Sequence, residues 1–325
     1  MRLTHLLGAS KGVHGVRRRR PTIVAIVASV AALAVSVSAA SAAIPGYERV
    51  TASSDHDSVR PKEATAQCAA GKRVVGIGGQ VYSYNYPNRE PYSETALDMF
   101  FPNQPIGGGE DLTEVTAHAD EDANGTPLNW KVTAQAICAN PLPGLELVDT
   151  FVFNDSPAPY KKAYADCPPG KRIVGAAAVV VGGGGRVVLE DVTPNEQLTE
   201  VSVTAWEAQG GTDLLWGVTA KAICAEPPPG LERVESYPQA DHSWTMRFTT
   251  AKCPPGKVIL GVGGDISHGS GQGGDVTGGA GQVLIRQLLV LRIAGTDSTF
   301  FTAYEDEDGT GRAWRPGAYA ICATA

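Results

Sequence analysis

Trp130-Lys131-Val132-Thr133-Ala134-Gln135-Ala136-Ile137-Cys138 alternates along its whole length, with Trp130, Val132, Ala134, Ala136 and Cys138 on one side. Lys131, Thr133, Gln135 and Ile137 take the other side, a period of two that predicts a strand with one buried face. The block recurs from Trp216 to Cys224 and from Trp314 to Cys322, each time ending Ala-Ile-Cys-Ala. Tryptophan and cysteine therefore point inward together. The alanines between them imply an opposing sheet that comes close, which Gly76-Ile77-Gly78-Gly79 and Gly261-Val262-Gly263-Gly264 would allow.

Two further blocks recur in the same order. Pro45-Gly46, Pro143-Gly144 and Pro229-Gly230 open the copies, and Cys68, Cys167 and Cys253 each precede a Gly-Lys pair at Gly71-Lys72, Gly170-Lys171 and Gly256-Lys257. Self-similarity at a fixed period is the signature of a repeat architecture. It divides the chain into 44–142, 143–228 and 229–325, with proline-rich connectors Asn140 to Pro143 and Glu226 to Pro229 holding a fairly fixed spacing. Six cysteines allow 15 pairings, but two per copy at equivalent places select Cys68 with Cys138, Cys167 with Cys224, and Cys253 with Cys322. Strands are expected over Glu48 to Ala52, Lys72 to Val81, Thr95 to Phe101 and Leu112 to Ala119, with counterparts in the other copies. Ala117 to Trp130 reads as a hairpin with its tip at Glu121 to Gly125. The fold expected is all-β: three tandem small antiparallel β-sandwich domains of five to seven strands, each with one internal disulfide. A single closed prism built from all three copies is the rival, against which each copy's private disulfide argues.

The cysteine-glycine-lysine block paired with the terminal Trp...Ala-Ile-Cys-Ala block resembles repeats in secreted proteins of actinobacteria whose function is uncharacterised. That resemblance implies secretion and brings no activity with it. Residues 1–43 agree: Arg17 to Arg20 precede an apolar run from Thr22 to Ala39 and a small-residue site at Ala40-Ser41-Ala42, the pattern of a signal peptide. An uncleaved membrane anchor is the alternative reading of the same run. This segment holds six of the 27 basic residues and none of the 34 acidic ones, so removing it takes the net charge from −7 to −13. So acidic a chain repels nucleic acid. An oxidising destination outside the cell lets the disulfides persist.

No catalytic or cofactor signature stands out, and no cofactor is expected. Gly71-Lys72 is followed by Arg73 rather than Ser or Thr, so the glycines read as turns and close-packed strands, not a phosphate loop. Asp120, Asp122 and Asn124 open like a calcium loop, yet Lys131 stands where a bidentate glutamate is needed, which favours a solvated acidic turn and leaves weak divalent-ion binding as the alternative. His56 and His242 lie beside aspartate and serine and read as polar loop residues. Val201, Val203 and Ala205 face inward, so Trp206 belongs to the outer face with Ser202 and Thr204; His118 and Tyr304 are taken as its equivalents, beside carboxylates such as Glu207 and Glu305. An aromatic ring there packs against its cross-strand neighbours or is available to stack on a sugar or a partner surface. The function expected is a secreted, non-enzymatic binding or cell-surface protein using three modules for avidity toward glycan or cell wall. The alternatives are a carboxylate-based hydrolase, which requires paired acids in one cleft, and a structural coat or spacer protein.

Overall fold

A computed structural model describes residues 44–83, 94–103, 112–122, 124–153, 159–238, 245–268, 280–293 and 296–325. The N-terminal segment 1–43 and His242 lie outside them.

Among the described residues each copy supplies six strands. Copy one has β1 (Glu48–Ser53), β2 (Lys62–Gln67), β3 (Arg73–Ser83), β4 (Thr95–Pro102), β5 (Glu114–Glu121) and β6 (Trp130–Ala139). Copy two has β7 (Glu146–Phe153), β8 (Tyr160–Asp166), β9 (Arg172–Gly182), β10 (Val187–Pro194), β11 (Glu200–Glu207) and β12 (Trp216–Ala225). Copy three has β13 (Glu232–Ser236), β14 (Met246–Lys252), β15 (Lys257–His268), β16 (Val283–Ile293), β17 (Thr296–Glu305) and β18 (Trp314–Thr324). In copy one β1-β6-β3 form one half-sheet and β2-β5-β4 another, packed face to face; the other copies repeat this plan. Trp130, Val132, Ala134, Ala136 and Cys138 are all buried between the halves, as their alternation requires. The three disulfides join Cys68 to Cys138, Cys167 to Cys224 and Cys253 to Cys322, each tying one half-sheet to the other.

The half-sheets do not stop at the copy boundary, and here the expectation of three separate sandwich domains needs correcting. All strand pairings are antiparallel and make three six-stranded sheets, each taking three strands from two copies. Sheet A runs β1-β6-β3-β16-β17-β14, sheet B runs β2-β5-β4-β9-β12-β7, and sheet C runs β13-β18-β15-β10-β11-β8. Copy one thus shares a sheet with copy three, copy one with two, and copy two with three, so the ring closes as a three-sided prism. The private disulfides do not oppose this. They sit at one end of each copy and leave the edges of β3 and β4, and of their counterparts, free to join a neighbour.

Glycine makes the closure possible. At the centre β3, β9 and β15 approach one another, and each carries a register shift there. A Cβ on Gly76 would lie 3.0 Å from Gly261 Cα, one on Gly175 3.0 Å from Gly76 Cα, and one on Gly261 2.9 Å from Gly175 Cα. The repeated glycine after the Gly-Lys block is therefore the axis of the molecule, where no side chain fits. Around it, Tyr47 donates to the carbonyl of Ile259 (2.9 Å), Arg49 pairs with Asp297 (3.2 Å), and Arg233 donates to the carbonyl of Pro194 (2.8 Å). Gln135 extends the short β3–β16 ladder with its side chain, donating to the carbonyl of Val290 (3.0 Å) and accepting from its amide (2.7 Å).

The segment from Ala117 to Trp130 is also corrected. β5 and β6 belong to different sheets, so the chain arches from one half-sheet to the other instead of turning back as a hairpin. The arch is held by a triad found in every copy. The indole N–H of Trp130 donates to Glu121 (2.9 Å), that of Trp216 to Glu207 (3.0 Å), and that of Trp314 to Glu305 (2.7 Å). A cation lies over each ring: Lys62 at 5.2 Å, Lys161 at 4.2 Å and Arg247 at 5.9 Å from the centroid. Edge acceptor and face cation match the indole's charge distribution and satisfy a carboxylate that would be costly to bury alone.

Candidate functional site

The outer faces of the three sheets share a backbone plan but not side chains. Where two copies meet, sheet A pairs Gln287 with Gln80 and sheet B pairs Met99 with Val179. In sheet C Val192 pairs with Gly264, which sets Asp191 on β10 opposite Asp265 on β15, one rung along. Like charges facing each other across a ladder destabilise it. The fold itself does not demand them, because the same rung is neutral in the other two sheets.

That rung is the floor of a cleft of about 650 Å³ across the outer face of sheet C. One wall carries Tyr160 and Trp206, whose rings lie 4.7 Å apart at 31°. The opposite wall carries Tyr237 and Tyr319, 5.9 Å apart and edge to face, with their hydroxyls hydrogen-bonded to each other. Tyr319 donates to Asp265 (2.9 Å), as does the Ser267 hydroxyl (2.9 Å). The amide of Ile266 donates to Asp191 (3.4 Å). Room for this network comes from Gly317, where any Cβ would strike Tyr237 and the Asp265 carboxylate; spacing from the second cysteine puts Thr133 and Thr219 there in the other copies.

Burial, then the charges of Asp265 and Glu190, push the Asp191 carboxyl up to about 7. Burial likewise raises Asp265, against hydrogen bonds from Ser267 and the tyrosines. Each carboxyl therefore ionises less readily than a solvated one. Beside it a β-bulge between Leu189 and Asp191 turns out Glu190, which accepts from the Gly281 amide (2.6 Å) and lies 3.2 Å from His268 Nε2. Burial opposes protonation of His268, but the Glu190 carboxylate outweighs it and the pKa is raised. His268 is 6% exposed, lines the cleft, and its Nδ1 has no hydrogen-bond partner among the described residues.

The residues expected from the sequence scatter. Trp206 lies in the cleft, though only 9% exposed and covered by Tyr160. Tyr304 sits on sheet A with the Arg286 guanidinium 5.4 Å from its ring centroid. His118 is not the equivalent of Trp206: pairing of β5 with β2 and of β11 with β8 puts Asp120 there, and His118 two residues earlier on sheet B. Its Nδ1 is 2.6 Å from Asp98; burial lowers its pKa, yet the Asp98 hydrogen bond and charge raise it overall. Glu207 and Glu305 are turned to the indoles of Trp216 and Trp314, so they belong to the structural triads and not to a ligand surface. Asp122 accepts from the amides of Asn124 (2.9 Å) and Gly125 (3.1 Å) as a turn cap, and Asp120 accepts from the Glu121 amide (2.8 Å). Among the described residues no group of three or more His, Cys, Asp or Glu side chains is arranged to hold a metal ion.

Asp191 and Asp265 were not legible as a site, because they lie in different copies and recur in neither of the others. The triad did leave a signal: a glutamate nine residues before each recurring tryptophan, and a basic residue six before each first cysteine. No protein-family model matches the sequence, and no curated protein does.

Proposed function

We propose that this is an extracellular, non-catalytic binding protein that holds a saccharide in the sheet C cleft. The reading rests on one observation: aromatic walls and a pair of opposed carboxylates share a concave surface on sheet C, whereas the equivalent rungs of the other two sheets carry no charge. Aromatic faces stack on the apolar side of a sugar ring, while carboxylates and the imidazole of His268 bond its hydroxyls. Three disulfides are consistent with an extracellular location. Because the equivalent rungs are Gln/Gln and Met/Val, the described residues offer one such acidic rung and not three. Avidity among identical modules is accordingly not part of this reading.

Calorimetry and retention on polysaccharide resins test it. Trp206→Ala and Tyr160→Ala each weaken binding by about tenfold or more, whereas Tyr304→Ala on sheet A leaves it unchanged. Equal retention of all three variants and the parent removes the cleft from consideration. The opposed acids favour a second reading, a carboxylate-based hydrolase acting on saccharides. Turnover of glycoside substrates that disappears in Asp191→Asn replaces the binding reading with that one.

A further inference from the structure

We infer that the saccharide taken by the sheet C cleft bears a free amine, its ammonium seated over the Asp191–Asp265 rung. This rests on the saccharide reading above and names the ligand class within it. Three independent features converge. The first is the rung itself: directly opposed carboxylates repel, and a neutral hydroxyl relieves that repulsion less than a cation does.

The second is the remaining lining: among the described residues it adds Glu190, paired with His268, and Glu235, paired with Arg233, and its lysine and arginine are Lys162 and Arg315. Both cations lie against aromatic rings, Lys162 5.4 Å from the Tyr164 centroid and Arg315 5.0 Å from that of Tyr237, and Arg315 also offsets part of the Asp265 charge while leaving Asp191 to a ligand. The third is the aromatic pairs on either side of the acids. Tyrosine and tryptophan rings flanking an anionic floor attract a cation by their quadrupoles. A hydroxyl-only ring uses the stacking and leaves the charge unanswered.

Calorimetry at pH 7 on the full chain separates the possibilities, with a β-1,4-linked glucosamine tetramer, its fully N-acetylated counterpart and spermidine as probes. The two sugars differ in whether the nitrogen carries a positive charge. The glucosamine tetramer is expected to bind at least tenfold more tightly than the acetylated one, and spermidine far more weakly than either. The preference should fall to near unity in Asp191→Asn/Asp265→Asn. Equal affinity for the two tetramers overturns the amine inference and leaves the saccharide reading standing. Absence of binding by both tetramers, or spermidine binding as tightly as the glucosamine tetramer, overturns the saccharide reading and the inference with it. The comparison in the unmutated protein decides the matter even where the double variant fails to fold.

Discussion

Asparagine in place of Asp191 removes a buried carboxyl while keeping its shape, and the consequence depends on pH in a definite direction. In the unfolded chain this carboxyl ionises near 3.8; in the folded protein it is pushed up to about 7, chiefly by burial and then by Asp265 and Glu190. Between those values the folded state holds a proton that the unfolded state has lost, so stability declines as pH rises from about 4 to about 7. A shift of that size corresponds to at most about 4 kcal/mol. The cleft opens to solvent, which screens the charge, and roughly 1–3 kcal/mol is the expected effect. Other groups around Asp191 titrate or carry charge: Glu190 on its own strand, Asp265 and His268 on β15, Lys162 on β8, Glu235 on β13 and Arg315 on β18. They remain in the variant, so the difference between the two proteins isolates Asp191 and its coupling to them. Urea unfolding from pH 4 to pH 8.5 should show parent and Asp191→Asn equally stable at the acid end. The variant should be the more stable above pH 7. A constant offset across the range, or a variant weaker at pH 8, refutes the reasoning.

Two further expectations concern the frame. Gly175→Ala places a methyl 3.0 Å from Gly76 Cα at the centre of the prism, where backbone from two copies must shift; a loss of about 1–3 kcal/mol or more is expected by thermal unfolding. Gly170→Ala, in an open turn of the same copy, has no neighbour within 4 Å of its Cβ and separates steric crowding from the cost of its own positive φ of 88°. Trp130→Phe removes the indole donor to the buried Glu121 carboxylate and should cost about 1–3 kcal/mol beyond the lost ring area. Adding Glu121→Gln to Trp130→Phe should recover part of that loss, and a double-mutant cycle with no coupling between the two would sink the assignment.

The strands were legible where burial alternates over many residues, as from Trp130 to Cys138, and so were the three disulfides. β2 escaped because Lys62-Glu63-Ala64-Thr65-Ala66-Gln67 has only two alanines and a lysine on its inner face. Its alternation carries little apolar contrast. Closure of the prism escaped for another reason. The ladders joining the copies span one or two residue pairs, at Val192–Gly264, Met99–Val179 with Phe100–Ala178, and Gln80–Gln287 with Gly79–Leu288, too few to impose any pattern on the sequence. The arch from β5 to β6 was mistaken for a hairpin because Asn124-Gly125 is a turn signal whichever sheet the next strand joins. The cleft was hidden by the repeat itself. Recurrence marks what the frame needs, such as tryptophan, glutamate and axial glycine, whereas Asp191, Asp265 and Gly317 stand where the copies have diverged.

Ring closure also limits how such a gene can grow. An open stack of modules lengthens by duplication, since every new unit finds a free end to dock on. Here the outward edges of the first and third copies are already spent on one another in sheet A. A fourth unit would find the edges that join copy to copy already paired. Diversity in this architecture must then come from side chains on three fixed faces, one of which has already become acidic and aromatic while its siblings have not.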